Sequence, residues 1–249
     1  MRNPELTMTE IKMQKRIIAI IPARGGSKRL PGKNILQFLG KPLIAYSILL
    51  AKNCELVENV YVSTDDAKIA EVATAYGAIV INRPEELSTD NSRTVDAIRH
   101  TLEVVMKSEV QPDGVLTLQP TSPLRPDELV RESIALFTSR YERIDSLVTV
   151  SENRTKFGLI EEEYFKPVGY HFGQRSQDMK KFYYENGLLY LTKTSILLKD
   201  NTLFGSNVMA KPIDSIYGEI DIDTQLDFEW AEYIGTKIIN KNTHNESFF

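Results

Sequence analysis

The chain has 249 residues, of which 42% are hydrophobic and 26% charged. That is enough apolar material for one sizeable α/β core, and it argues against a natively disordered chain. Thirty Lys and Arg against thirty-four Asp and Glu give a formal net charge of -4. This balance argues against a nucleic-acid-binding surface and leaves room for a local cationic pocket that takes small anions. Cys54 is the sole cysteine, so no intrachain disulfide and no thiolate metal cluster can form, which favours the cytoplasm. No apolar run is long enough to span a bilayer, so no membrane association is expected.

In chain order, residues 1–15 are polar and of mixed charge and read as a flexible leader ahead of a single domain over residues 16–240. Ile17 to Ile21 is a continuous apolar run that predicts a strand covered on both faces, stopping at Pro22. The stretch ARGGSKRLPGKN that follows is a long Gly- and Pro-rich loop. LIAYSILLAKN then has helical spacing, VYVSTD reads as a strand and DDAKIAEVATAYG as a helix, and a further cycle follows through IVIN and VDAIRHTLEVVMK. Val115 to Leu118 is another buried strand, with LVTVS expected as its partner and a helix starting after Pro126. This alternation predicts an α/β fold with a mostly parallel central sheet flanked by helices, its ligands beyond the carboxyl ends of the strands.

From residue 151 to 185 the pattern weakens into an acidic run, Pro, Gly and aromatics, and is read as a dimerisation or sugar-binding excursion. The chain returns to a strand at GLLYLTK and closes with EIDIDTQLDFEWAEYIGTKII, read as an acid-bearing strand running into a C-terminal helix. Residues 241–249 read as a flexible tail.

The loop from Pro22 to Asn34 carries the strongest chemical signal. Gly25, Gly26 and Gly32 allow close backbone approach to phosphate oxygens, and Arg24, Lys28, Arg29 and Lys33 supply charge at the same place. Its spacing is neither GxxxxGK[ST] nor GxGxxG, so an ATPase or nicotinamide reading loses its main support; the plainer alternative is a solvated basic loop. Asp221 and Asp223, two apart on a strand, would share one face and suit Mg²⁺, whereas a solvated edge-strand face is the structural alternative. Asp227 suits a helix cap, and Glu219 joins the metal group only if the strand begins late. Ser63, Thr64 and Asp65 sit where helix caps are needed, with an approach of Asp65 to the metal as the other reading. Gln119 offers a donor and an acceptor between a strand end and two prolines, suited to a sugar hydroxyl or amide. Phe182, Tyr183, Tyr184 and Tyr190 suit a sugar pocket or core packing equally. Isolated His100 and His171 and the absence of GxSxG give no support to zinc or serine chemistry.

Taken in order, IIPARGGSKRLPGKN, VSTDD, RPEELSTDN, LQPTSPLR, ENGLLYL and IDIDTQLDF resemble the bacterial acylneuraminate cytidylyltransferases over about residues 16 to 239. The resemblance implies a glycosyltransferase-A-like nucleotidyltransferase fold, CTP and an acidic sugar as substrates, Mg²⁺ (with Mn²⁺ as substitute), pyrophosphate release and a homodimer formed through an arm in the later half. It implies Ala23, Arg24, Ser27 and Lys33 around the triphosphate, and Asn34, Arg83 and Thr94 near cytosine or ribose. Gln119, Arg175, Tyr184 and Tyr190 fall on the sugar side, and Asp221 and Asp223 at the metal. Arg24 and Lys33 would act catalytically, offsetting phosphate charge while the anomeric hydroxyl of a 2-keto-3-deoxy acid attacks the α-phosphorus in line.

The chain departs from the family pattern where many members read RRQDLP and YREN. Here Arg175-Ser176-Gln177-Asp178-Met179-Lys180 and Tyr184-Glu185-Asn186 replace them, which leaves legionaminic, pseudaminic and other nonulosonic acids open beside N-acetylneuraminic acid. Two alternatives remain: a sugar-1-phosphate nucleotidyltransferase using another NTP, and a non-catalytic nucleotide-binding regulator.

Overall fold

A computed structural model describes residues 15–108 and 110–245 of the chain. Elements in chain order are β1 (Ile17–Pro22), β2 (Gln37–Phe38), β3 (Lys41–Pro42), α1 (Leu43–Lys52), β4 (Val57–Thr64), α2 (Ala67–Ala75), β5 (Ile79–Asn82) and α3 (Thr94–Met106). They continue with β6 (Gly114–Thr117), α4 (Leu129–Ser139), β7 (Ser146–Asn153), β8 (Gly158–Glu161), β9 (Tyr164–Pro167), β10 (Phe182–Lys193), α5 (Thr194–Asp200), β11 (Val208–Pro212), α6 (Ser215–Gly218) and α7 (Gln225–Asn245). Residues 1–14 and 246–249, within the stretches read as leader and tail, lie outside the described residues, while residues 241–245 continue α7.

Seven strands form one sheet in the order β11-β7-β10-β6-β1-β4-β5. All neighbours run parallel except β10, which is antiparallel to both β6 and β7. The mostly parallel sheet flanked by helices is therefore as expected. The unbroken apolar run of β1 has its physical reason in this order. Ile17, Ala19 and Ile21 face the cluster with Ile44 and Ile48 of α1 and Ile134 of α4, whereas Ile18 and Ile20 face Ile98 and Leu102 of α3. A strand buried on both faces has no polar side to alternate with.

Three expectations are corrected. LVTVS, in β7, does not pair with β6, because the antiparallel β10 is inserted between them. The acidic run Glu219–Thr224 is not a strand: β1 and β10 already occupy both edges of β6, and the segment meets the turn after β6 through the backbone bond from Ile222 N to Thr121 O, 2.8 Å. Its alternation survives all the same, since Ile220 and Ile222 are buried with Leu30, Phe38, Leu43 and Phe228, which turns Asp221 and Asp223 outward. Between GLLYLTK and the acidic run, where no element is expected from the sequence, lie α5 and the edge strand β11, whose short, half-exposed Val208–Pro212 carries little apolar signal.

The third cluster joins the basic loop through Leu30 to α7 through Phe228. At its centre Phe38 is fully buried, edge-on to Tyr46 and Phe228 at centroid distances of 5.4 and 5.6 Å. Phe38→Ala is expected to cost about 3–5 kcal/mol, read as a shift of the urea midpoint at unchanged slope.

Candidate active site

β1, β4 and β6 run parallel, and the loops leaving their carboxyl ends converge at one edge of the sheet. After β1, Ala23 is held by its amide to Ser63 O at 2.9 Å, and the chain enters the Gly-rich loop. Gly25 is required by close approach: its amide donates to Asp65 Oδ1 at 2.9 Å, and an added Cβ would lie 2.8 Å from Asp66 Cβ. Gly32 adopts a left-handed φ of 67°, which an L side chain takes up only with strain. The next residues form a 3₁₀ turn, Lys33–Ile35, that carries Lys33 and Asn34 inward. The Asn34 side-chain amide donates to Arg24 O at 3.0 Å and so closes the loop on itself.

After β4, the caps are distributed differently from the sequence reading. Asp66 is the N-cap of α2, accepting from Lys68 N and Ile69 N at 2.8 and 2.9 Å. Ser63 is spent on Arg83, whose Nε donates to Ser63 Oγ at 3.2 Å and whose Nη2 donates to Ser63 O at 2.7 Å. Burial pushes the Arg83 guanidinium down to about 10, with Asp65 raising it and Arg24 lowering it further. Asp227 caps α7 as its residue type and place suggest: its Oδ2 accepts from Thr224 N at 2.7 Å, while Thr224 Oγ1 accepts from Asp227 N at 3.3 Å. This reciprocal pair is a capping box.

These loops enclose a cavity of about 480 Å³. Arg24, Ser27, Lys33, Asn34, Arg83, Thr94, Gln119 and Asp223 all line it, joined by Lys28 and Arg29. Ala23 is buried directly beneath the loop. Lys33, itself buried, donates to Ile222 O and to Asp223 Oδ1, both at 2.8 Å, and Arg29 pairs with the other oxygen of Asp223. Burial would raise the Asp223 carboxyl, but Lys33 and Arg29 outweigh it and hold the group below the usual carboxylate range. Across the mouth, Asp90 pairs with Lys28 and, at 3.3 Å, with Arg24, and Arg24 Nη1 also donates to Thr89 O at 2.7 Å. Lys28 first, then Arg24, hold the Asp90 carboxyl below its usual range. Two carboxylates thus stand as counter-ions to the four cations of the loop.

Besides Ala23, four expected residues lie outside this lining. Asp221 points outward beside it, close enough to Tyr190 that burial first, then Glu185 and Asp221, push the Tyr190 phenol up. Tyr190 is buried opposite Thr117 and Val148 and edge-on to Phe204 at 5.8 Å, which is core packing. Tyr184 lies half-exposed on β10 opposite Ser151. Arg175 pairs with Asp178 at 2.7 Å in the excursion, next to a second cavity of about 340 Å³ lined by residues that include Arg154, Ser176, Lys180 and Lys181. Sequence reading passed over Asp90, Thr121 and Arg125. The first was legible only as an acid within RPEELSTDN, and the other two lay inside the LQPTSPLR run that drew attention to Gln119.

The sequence pattern of the family described as Cytidylyltransferase matches residues 18–242. The chain belongs to that family. Among the family's named members, it is 33% identical to the CMP-N,N'-diacetyllegionaminic acid synthase of Legionella pneumophila, covering 87% of this chain and 95% of that one. It is 33% identical to a pseudaminic acid cytidylyltransferase of Campylobacter jejuni, over 93% of this chain and 99% of that one. It is 34% identical to an N-acylneuraminate cytidylyltransferase of Escherichia coli, matching 90% of this chain but only 53% of that longer protein. The fold is shared with CMP:2-keto-3-deoxy-manno-octonic acid synthetase, solved with CTP (TM-score 0.68, 19% identity, 90% and 99% of the two chains), and 4-diphosphocytidyl-2C-methyl-D-erythritol synthase of Anaerococcus prevotii (TM-score 0.61, 16% identity, 88% and 96%).

Asp90→Asn removes the counter-charge of Arg24 and Lys28 while leaving both cations in the cleft. Exposed pairs of this kind are weak, so pyrophosphate is expected to bind about two- to fivefold more tightly at low salt. Titration calorimetry checks this, and the gain should shrink at high ionic strength. Because the folded carboxyl is depressed, its pairing is complete at neutral pH and is lost only as pH falls through that lowered value. The difference between the variant and the parent should therefore disappear once pH has fallen below that lowered value.

Proposed function

We propose that the chain transfers CMP from CTP to the anomeric hydroxyl of an acidic 2-keto-3-deoxy sugar of the nonulosonic class, releasing pyrophosphate. The observation that carries this is the meeting of the Pro22–Asn34 loop and Asp223 on one cavity, with Lys33 Nζ 2.8 Å from Asp223 Oδ1. Near-full-length identity to enzymes named for legionaminic and pseudaminic acids supports the nonulosonic acceptor.

In this reading the loop amides and Arg24, Ser27 and Lys33 take the triphosphate, Arg83, Asn34 and Thr94 the nucleoside, and Gln119 the sugar. The sugar hydroxyl attacks the α-phosphorus and releases its proton to water, the bond from the α-phosphorus to the bridging oxygen breaks, and pyrophosphate leaves with its charge offset by Lys33 and Arg24. No side-chain nucleophile is needed, because fixed charges and alignment supply the acceleration. Asp221 and Asp223 would hold Mg²⁺, or Mn²⁺ in its place. Among the described residues no group of three or more His, Cys, Asp or Glu is arranged to hold a metal. Two outward carboxylates fit an ion that completes its shell with phosphate oxygens and water. Such an ion would supply positive charge to the phosphates. Lys33 and Arg29 meanwhile hold Asp223 ionised and oriented.

The second half of the proposal concerns assembly and place. Leu159 and Ile160 of β8, Tyr164 and Phe165 of β9, and Phe172 are exposed on the excursion. We assign this apolar arm to a homodimer interface, through which Arg175 and Tyr184 would approach the partner's sugar site. Among the described residues no helix is long and apolar enough to cross a membrane. The lone cysteine and a dependence on CTP support a cytoplasmic site of action.

Pyrophosphate release measured over four NTPs and a panel of eight- and nine-carbon acid sugars should show turnover with CTP and a nonulosonic acid; a preference for another NTP overturns the reading. Lys33→Ala should slow turnover on the order of 10²-fold or more, and Asp223→Asn should abolish nearly all of it, with the far-UV circular dichroism of both unchanged. Ile160→Asp should convert a dimer to a monomer in light scattering; a wild-type chain that is already monomeric removes the arm assignment.

A further inference from the structure

Arg125 is a buried cation without a counter-ion: among the described residues it makes no salt bridge. It lies in the turn that follows β6 and spends its fork on neutral acceptors. Nε donates to Leu188 O at 2.7 Å, Nη2 to Gln119 O at 2.7 Å and Nη1 to Ser47 Oγ at 3.0 Å. Ser47 Oγ in turn donates to the same Gln119 carbonyl at 3.3 Å. One planar group therefore ties the turn to α1 and to β10. The β10 anchor is next to Gly187, whose φ is 70° and where an added Cβ would stand 3.9 Å from Gln119 Oε1.

This arrangement is costly. Burying an unpaired charge is expensive, and burial alone pushes this guanidinium down to about 9. An apolar side chain would fill the space at less cost. What it lacks is the rigid set of donors that satisfies three acceptors from three elements at once. The turn so held also carries Thr121 Oγ1 and Ser122 Oγ, both buried and without a hydrogen-bond partner, so it presents polar atoms that packing has not consumed.

We propose that Arg125 is the positioning residue of the sugar side of the cleft: by clamping the Gln119 carbonyl to Leu188 and Ser47, it fixes where the Gln119 side chain meets the acid sugar. This rests on the reading that Gln119 holds that sugar. Arg125 itself touches no substrate. Its contribution is to remove the freedom of the turn to shift, and misplacement of a binding group by about 1 Å can cost on the order of 10²-fold in rate.

The test is a double-mutant cycle of Arg125→Lys with Gln119→Ala, using the nonulosonic acid turned over fastest in the panel above. Lys keeps the charge but cannot reach three acceptors in one plane. Arg125→Lys should lower kcat/KM for the sugar by about 10- to 100-fold, with the Kd for CTP, measured by calorimetry, within about twofold of the parent. In the Gln119→Ala background the same substitution should cost less than about threefold, the signature of two residues acting as one unit. Additive losses, or a CTP Kd weakened by the same factor as the sugar parameter, overturn the inference and leave the Gln119 assignment standing. An inert Gln119→Ala overturns that assignment and the inference with it. Should Arg125→Lys fail to fold, Ser47→Ala removes one acceptor and leaves the cation. A smaller loss confined to the sugar parameter and absent beside Gln119→Ala supports the clamp, and no loss overturns it.

Discussion

The contact between Lys33 and Asp223 is the interaction on which the site depends. The two residues are 190 positions apart, and their ion pair joins the Gly-rich loop after β1 to the segment before α7. Two layers of physical chemistry hold it. Beneath, Leu30, Ile220, Ile222 and Phe228 pack into one apolar cluster that draws the two segments together. Above, alternation along Ile220–Asp223 leaves the carboxylates nowhere to go but outward. The apolar packing sets the distance and the charges set the orientation.

The cations and carboxylates of the cleft balance one another in pairs. Asp223 engages Lys33 and Arg29, and Asp90 engages Lys28 and Arg24. Partly exposed pairs of this sort are weak, so they restrain the cations without committing them. In the proposed reading a triphosphate, with its greater negative charge, would exchange for Asp90 at Lys28 and Arg24, while Asp223 keeps its pairs with Lys33 and Arg29.

β10 gives the sheet its second function. A purely parallel sheet places only strand carboxyl ends at the ligand edge, whereas the antiparallel β10 brings its middle, from Asn186 to Tyr190, alongside the end of β6. Arg125 takes hold of that strand through Leu188 O, and Thr149 secures it from the other side by donating to Asn186 Oδ1 at 2.7 Å. The antiparallel neighbours β7 and β10 could be joined by a tight turn, and the longer excursion between them carries the exposed apolar arm instead.

Much of this was legible in the chain itself. The unbroken Ile17–Ile21 run dictates a doubly covered strand, the Gly, Pro and Arg/Lys content of Pro22–Asn34 dictates a basic loop, and Lys33, Gln119 and Asp223, singled out by residue type, do line one cavity. Local composition is enough for these because each depends on neighbours in sequence. What folding alone decided were relations between distant segments: the insertion of β10 beside β6, which denied the acidic run a place in the sheet, the burial of Tyr190 in packing, the seating of Asp90 across the loop and the threefold grip of Arg125. None of these has a local signature, since a side chain's partners depend on which backbone groups the sheet order leaves within reach.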